Sequence, residues 1–95
     1  MEFINNRSGN GGFIQLNKEV EEVGRLTYTI FPDDKKMIIS YVLVHPQFEG
    51  KGMGKYLVDE AIRFARENYW KIYPHCSYAR SVMNRIQDVD DILLK

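Results

Sequence analysis

Cysteine is almost missing from this chain: Cys76 is the single one among 95 residues. A lone thiol closes no intrachain disulfide, and no cysteine-based zinc site can be assembled around it. No apolar run approaches the ~18 residues of a membrane helix, and residues 1–7 lack the apolar core of a signal peptide. The expected setting is reducing and cytoplasmic, with no membrane partner. Net charge is missing too. Thirteen basic and thirteen acidic side chains cancel, which argues against a nucleic acid held through bulk charge. The length leaves no room for a second domain, so residues 1–95 read as a single one.

Glycine is unevenly spread, and its second cluster, Gly50, Gly52 and Gly54, organises the rest. The stretch Val42-Leu43-Val44-His45-Pro46-Gln47-Phe48-Glu49-Gly50-Lys51-Gly52-Met53-Gly54-Lys55-Tyr56-Leu57 begins as an apolar β-like run. It crosses a turn and enters an amphipathic helix. Glycine permits φ > 0 and a close approach of ligand to main chain. The first turn of a helix has N–H groups without intrahelical partners, and the dipole makes that end positive. The combination suits a phosphate or pyrophosphate. A Walker loop does not fit, because Glu49 and Tyr56 stand where Gly and Ser/Thr are required. A dinucleotide fingerprint fails as well, since its third glycine would fall at Lys55 or Leu57.

Around this turn the pattern predicts a mixed α/β (α+β) fold. Strands are expected over 2–5 and 13–16, joined by a glycine-rich turn at 7–12. The acidic stretch 17–23 reads as a solvated turn. Leu26, Tyr28 and Ile30 alternate with Thr27 and Thr29, a two-residue period that marks a strand over 24–31. The near-continuous apolar run 37–44 suggests a central strand buried on both faces. A helix is expected over 52–68, with Met53, Leu57, Ala61, Ile62 and Ala65 on its apolar face and an Asp59–Arg63 pair on its wet one. Residues 71–76 read as a further strand. Strand, right-handed helix and strand imply a parallel pair, and Pro74 makes this last strand an edge or locally unpaired. A short helix over 77–86 follows. The apolar Ile92-Leu93-Leu94 is expected to dock back on the body.

The turn Glu49-Gly50-Lys51-Gly52-Met53-Gly54 resembles the acetyl-CoA loop of the GNAT superfamily of N-acetyltransferases, Arg/Gln-x-x-Gly-x-Gly/Ala. It matches both glycines and departs at Glu49. With Cys-Ser-Tyr-Ala-Arg at 76–80 before a short last helix, nearly the whole chain resembles the short single-domain YjdJ-type branch of GNAT-like proteins. The resemblance implies antiparallel N-terminal strands, then a β-α-β unit whose parallel strands splay around a pantetheine arm. It also implies an acetyl-CoA (CoA) cofactor and an amine acceptor, small molecule, peptide or protein. Main-chain groups of Leu43 and Val44 would pair with pantetheine. Amides of Gly50, Lys51, Gly52, Met53 and Gly54 would hold the pyrophosphate, with Lys51 and Lys55 near the phosphates and Glu49 turned away. Arg80 falls where some relatives have a lysine. Members of the branch lack the helices that roof the acceptor site. Relatives often carry His-Thr-x-Val where this chain has Tyr41-Val42-Leu43-Val44, and tyrosine, with a reference pKa near ~10, is a poor base.

For catalysis the resemblance nominates Cys76, as acetyl acceptor or proton donor, and Tyr78, as acid for the CoA thiolate. Each has a plainer reading as a packing residue. His75 adjoins Cys76, but strand alternation sets neighbours on opposite faces. His45 reads as a loop residue. Tyr41 and Tyr28 read as sheet filler, and Tyr69 and Trp70 as cover for the core edge. The expected function is N-acetyl transfer from acetyl-CoA to an amine. The alternatives are a CoA-binding module without turnover, or a protein-interaction domain with a vestigial loop. No metal site is expected. Nothing in the residues speaks to oligomeric state, and a monomer is the default.

Overall fold

Five strands hydrogen-bond in their order along the chain, β1-β2-β3-β4-β5, in the computed structural model, which describes residues 1–94. They are β1 (Glu2–Ser8), β2 (Gly11–Lys18), β3 (Glu21–Phe31), β4 (Lys36–Val44) and β5 (Lys71–Pro74). The first four pair antiparallel, and β4 pairs with β5 in parallel. Helix α1 (Met53–Glu67) makes the crossover between those two, and α2 (Ser77–Arg85) follows β5. The expected mixed α/β architecture is therefore the one observed.

One face of the sheet carries the core. Ile14 and Leu16 of β2, Leu26, Tyr28 and Ile30 of β3, Met37 and Ile39 of β4, and Ile72 of β5 are all buried. Their every-second spacing is the period of a half-buried strand. Against them α1 sets Leu57, Val58, Ala61, Ile62 and Ala65, and α2 sets Ala79, Val82 and Met83. Burying each large side chain contributes about 1.5–3 kcal/mol. β4 departs from its expected double burial. Only Met37 and Ile39 are fully enclosed, while Ser40 and Tyr41 are exposed. An antiparallel sheet with helices on one side leaves its other face open, so the apolar run of β4 is not a sign of two covered faces.

Several boundaries moved for physical reasons. β1 and β2 extend into the glycine-rich stretch, leaving a turn at Gly9-Asn10 alone. Asn5 is held there because its side-chain oxygen accepts the Tyr28 hydroxyl at 2.5 Å. The acidic stretch is not a free turn. Glu21 opens β3, and Val23 is completely buried. Tyr28 joins a ring cluster with Phe64 and Trp70 at centroid separations of 5.5 and 5.3 Å. Tyr69, by contrast, sits just past α1 with φ 61 and is 85% exposed, so it covers nothing. On the wet face of α1, Asp59 pairs with Lys55, and Arg63 with Glu60 and Glu67, in place of Asp59–Arg63. Ile92, Leu93 and Leu94 do dock, through backbone hydrogen bonds on both sides of Ile72.

Candidate functional site

The site starts from a single surplus residue. Thr27 pairs with Tyr41 and Tyr28 with Ile39, so Ser40 has no partner on β3. Such a bulge bends the strand and disrupts its ladder. On the other side, the parallel ladder with β5 ends at the same level, at Ile39–Pro74. There the amides of His75 and Cys76 both donate to the Ile39 carbonyl, at 3.0 and 3.1 Å. Beyond this point β4 keeps β3 and loses β5. Residues 40–44 show no backbone bond toward the β5 side among the described residues.

The gap is a groove of about 340 Å³ lined by Val42, Leu43, Val44, Phe48, Glu49, Gly50, Gly52, Met53, Gly54 and Tyr78. Its floor is the entry to α1. After β4, Pro46–Phe48 forms one 3-10 turn that buries Phe48. Gly50 and Gly52 then take φ values of 79 and 77, in the left-handed region where a side chain would be strained. Gly52 is the N-cap and offers no side chain to the helix amides. The first amide of this stretch to find a carbonyl is that of Tyr56, on Gly52, at 3.4 Å. Among the described residues, the amides of Gly50, Lys51, Gly52, Met53, Gly54 and Lys55 have no such partner. Gly54 serves a different need. A Cβ there would fall into the ring and hydroxyl of Tyr78, so its absence lets α2 close the groove wall.

The nominated residues do not all converge. Leu43, Val44, Gly50, Gly52, Met53, Gly54 and Tyr78 line the groove. Cys76 stands next to it, as the half-buried N-cap of α2, packed against the core. Lys51 and Lys55 are exposed beside the helix entry, Lys55 on Asp59 at 3.0 Å. Arg80 turns elsewhere. It reaches the His75 carbonyl at 3.5 Å and borders a separate depression with Tyr73 and Leu94. Glu49 is exposed and belongs to the residues at the groove, with its amide donating to the Pro46 carbonyl at 3.2 Å. Tyr41 is 55% exposed and does not fill the sheet. Trp70 belongs to the opposite end of α1.

One cluster escaped the sequence reading. The His45 ring nitrogen Nε2 lies 2.7 Å from Glu22, whose second oxygen accepts both Arg25 Nε and a terminal guanidinium nitrogen at 3.0 and 2.7 Å. Arg25 also lies over the Phe13 ring at 4.2 Å. Burial pushes the Glu22 carboxyl up, but hydrogen bonds from His45 and Arg25, with their charge, outweigh it and hold the group below its usual range. The cluster ties the start of β3 to the end of β4. Its members are up to 23 positions apart, so no local pattern announces it.

A glycine turn that enters a helix, on a mixed sheet whose parallel pair parts beside it, is the arrangement of the site. Residues 13–92 match the family described as GCN5-related N-acetyl-transferase. That match takes in most of the chain, and the chain belongs to the GCN5-related N-acetyltransferase (GNAT) family. No curated protein compared with it matches. Among solved structures, a GCN5-like protein of Staphylococcus aureus is similar at 26% identity, over 96% of this chain and 87% of that one, with a TM-score of 0.68. A ribosomal-protein-alanine N-acetyltransferase of Brucella melitensis shares the fold at 19% identity, over 83% of this chain and 62% of that one, TM-score 0.71. An aminoglycoside acetyltransferase from an uncultured soil sample, solved with sisomicin, does so at 18% identity, over 85% and 59%, TM-score 0.71. The chain thus spans under two thirds of those two enzymes, and of the Desulfovibrio desulfuricans GNAT protein it spans 54%.

Proposed function

We propose that this protein is an N-acetyltransferase of the short single-domain GNAT branch, binding acetyl-CoA and passing its acetyl group to an amine. The observation that carries the reading is the row of unpartnered amides from Gly50 to Lys55, set at the floor of the groove. The first N–H groups of a helix have no intrahelical partner, and a diphosphate at a helix N-terminus satisfies several at once. The free side of β4 at Leu43 and Val44 suits the amide groups of a pantetheine arm, as one more strand would. Lys51 and Lys55 supply positive charge beside the phosphates.

Bound acetyl-CoA supplies an acetyl thioester, already activated toward an amine. The protein's part is mostly to hold that ester still in a narrow groove. Tyr78 is the proton-bearing side chain in the groove wall, and its hydroxyl is assigned as the donor to the departing sulfur. Cys76, set back against the core, is assigned to packing. Arg80 is left out of the site. A second reading, coenzyme binding without turnover, is favoured by Glu49, an acidic residue at the groove whose charge opposes an anionic ligand.

The test has two stages. Titrated acetyl-CoA is expected to shift the amide resonances of 50–55, and no shift at millimolar coenzyme overturns the proposal. With amine mixtures, thiol release above hydrolysis establishes turnover, and its absence leaves the second reading. Tyr78→Phe is expected to lower kcat about a hundredfold, with Cys76→Ala near wild type. The reverse order would return the role to the cysteine.

A further inference from the structure

Arg80 is the guanidinium that the coenzyme groove leaves over. It stands in the first turn of α2, and Asn84, four residues on, shares its flank of the helix. With Tyr73, Pro74, Leu93 and Leu94 they line a depression of about 500 Å³ beside β5, a volume that suits a small molecule. Pro74 is buried and the two leucines are half-buried, so the floor is apolar. No acidic side chain is among the described lining residues. Arg25, Arg63 and Arg66 each pair with a carboxylate, whereas Arg80 has none among the described residues. Its one side-chain hydrogen bond there, to the His75 carbonyl, is 3.5 Å long and weak. Its remaining N–H donors point at nothing the described residues supply.

The depression adjoins the place where the sheet opens. The same His75 that Arg80 reaches donates its amide to the Ile39 carbonyl at 3.0 Å, at the last level where β4 and β5 are paired. One residue of backbone, about 3.5 Å, separates the guanidinium contact from the apex of the split. Tyr73 continues the wall toward that apex, its ring centroid 6.5 Å from the ring of His75. A pantetheine arm that leaves a diphosphate at the α1 entry and follows β4 past Val44 and Leu43 carries its thioester toward the same apex. An amine that attacks there has Arg80 close to its other end. We infer that the depression holds a carboxylate of the acceptor, so that the acceptor is a small molecule with a free amine and a carboxylate a few bonds apart. A guanidinium fork matches a carboxylate at two points. Its single charge balances a monoanion, whereas a phosphate brings about two charges. The Asn84 amide and the Tyr73 hydroxyl add donors, and the apolar floor covers the methylenes between the two ends. The inference rests on the acetyl-transfer reading above, and it names which amines that reaction takes.

The experiment sets two acceptor series side by side: 4-aminobutanoate, 5-aminopentanoate and 6-aminohexanoate against butylamine, pentylamine and hexylamine. Each pair has the same amine and differs in the carboxylate. Thiol release from acetyl-CoA is followed on wild type, Arg80→Gln and Arg80→Lys. Arg80 is exposed, so these changes keep the fold. In wild type at least one amino acid is expected to exceed its alkylamine about tenfold in kcat/KM. Arg80→Gln is expected to raise the KM for that amino acid about tenfold, with kcat within about twofold and the alkylamines and acetyl-CoA affinity unchanged. Arg80→Lys is expected to restore part of the loss, as a point charge without the fork. Equal use of both series, or equal loss for both in Arg80→Gln, overturns the carboxylate seat. So does acetyl-CoA that binds but yields thiol only with a protein amine, or with none of these acceptors, and the coenzyme reading then stands. A wild-type protein that does not bind acetyl-CoA overturns the coenzyme reading itself.

Discussion

The two halves of β4 have the same kind of residues and opposite roles. From Lys36 to Ile39 the strand has neighbours on both sides, β3 and β5, and sends Met37 and Ile39 into the core. From Tyr41 to Val44 it has one neighbour and no fully buried side chain, and Val42, Leu43 and Val44 line the groove. Hydrophobicity does not separate the halves, since Val42, Leu43 and Val44 are as apolar as Met37, Ile38 and Ile39. Pairing does. The first half satisfies its backbone within the protein, and the second keeps a free side for something else to fill.

This contrast can be broken first in the paired half. Ile39→Ala is expected to cost about 2–5 kcal/mol of stability, the range for truncating a fully buried residue, read by urea denaturation. Acetyl-CoA affinity, measured below the unfolding transition, should stay within about twofold. A large affinity loss there would show that the halves are not independent.

Gly54→Ala strikes the other half. The new methyl meets the Tyr78 ring, and overpacking costs about 1–3 kcal/mol. Better helix propensity returns about 1 kcal/mol, so the net loss of stability is small. The binding loss is expected to be the larger effect, because Tyr78 must leave the groove wall. Denaturation and coenzyme titration on one sample compare the two. Binding left intact would show that the wall can re-form.

The smallest effect concerns the clamp where β3 meets the end of β4. Glu22 has a lowered pKa in the folded state. Its contribution is therefore present above the ordinary carboxylate value of 4.5 and lost as pH falls through the lowered one. The group is near the surface, so the contribution is under about 1 kcal/mol. Wild type should exceed Glu22→Gln in stability at neutral pH, and the two should converge at low pH. A difference that persists there would assign the effect to packing.

Much of this was legible beforehand, for identifiable reasons. Gly50 and Gly52 announce positive φ because other residues resist it, and the apolar stripe of α1 has a helical period. The Ile92-Leu93-Leu94 tail was too apolar to leave in water. What sequence could not show depends on partners far along the chain. Asn5 looks like the end of a short strand until the Tyr28 hydroxyl reaches it. Glu22 looks solvated until His45 and Arg25 arrive. Arg80 sits in a matching stretch, yet its direction from α2 carries it away from the groove.

Ser40 has a consequence for how such strands are counted. Before it, odd-numbered positions face inward, Met37 and Ile39. After it, the even-numbered Val42 and Val44 take over, opposite Leu26 and Gly24. Parity flips at one letter, so a rule that marks every second residue as interior assigns the groove-lining stretch to the wrong side. The opening in this sheet is an arithmetic slip of one residue, invisible in composition and decisive in phase.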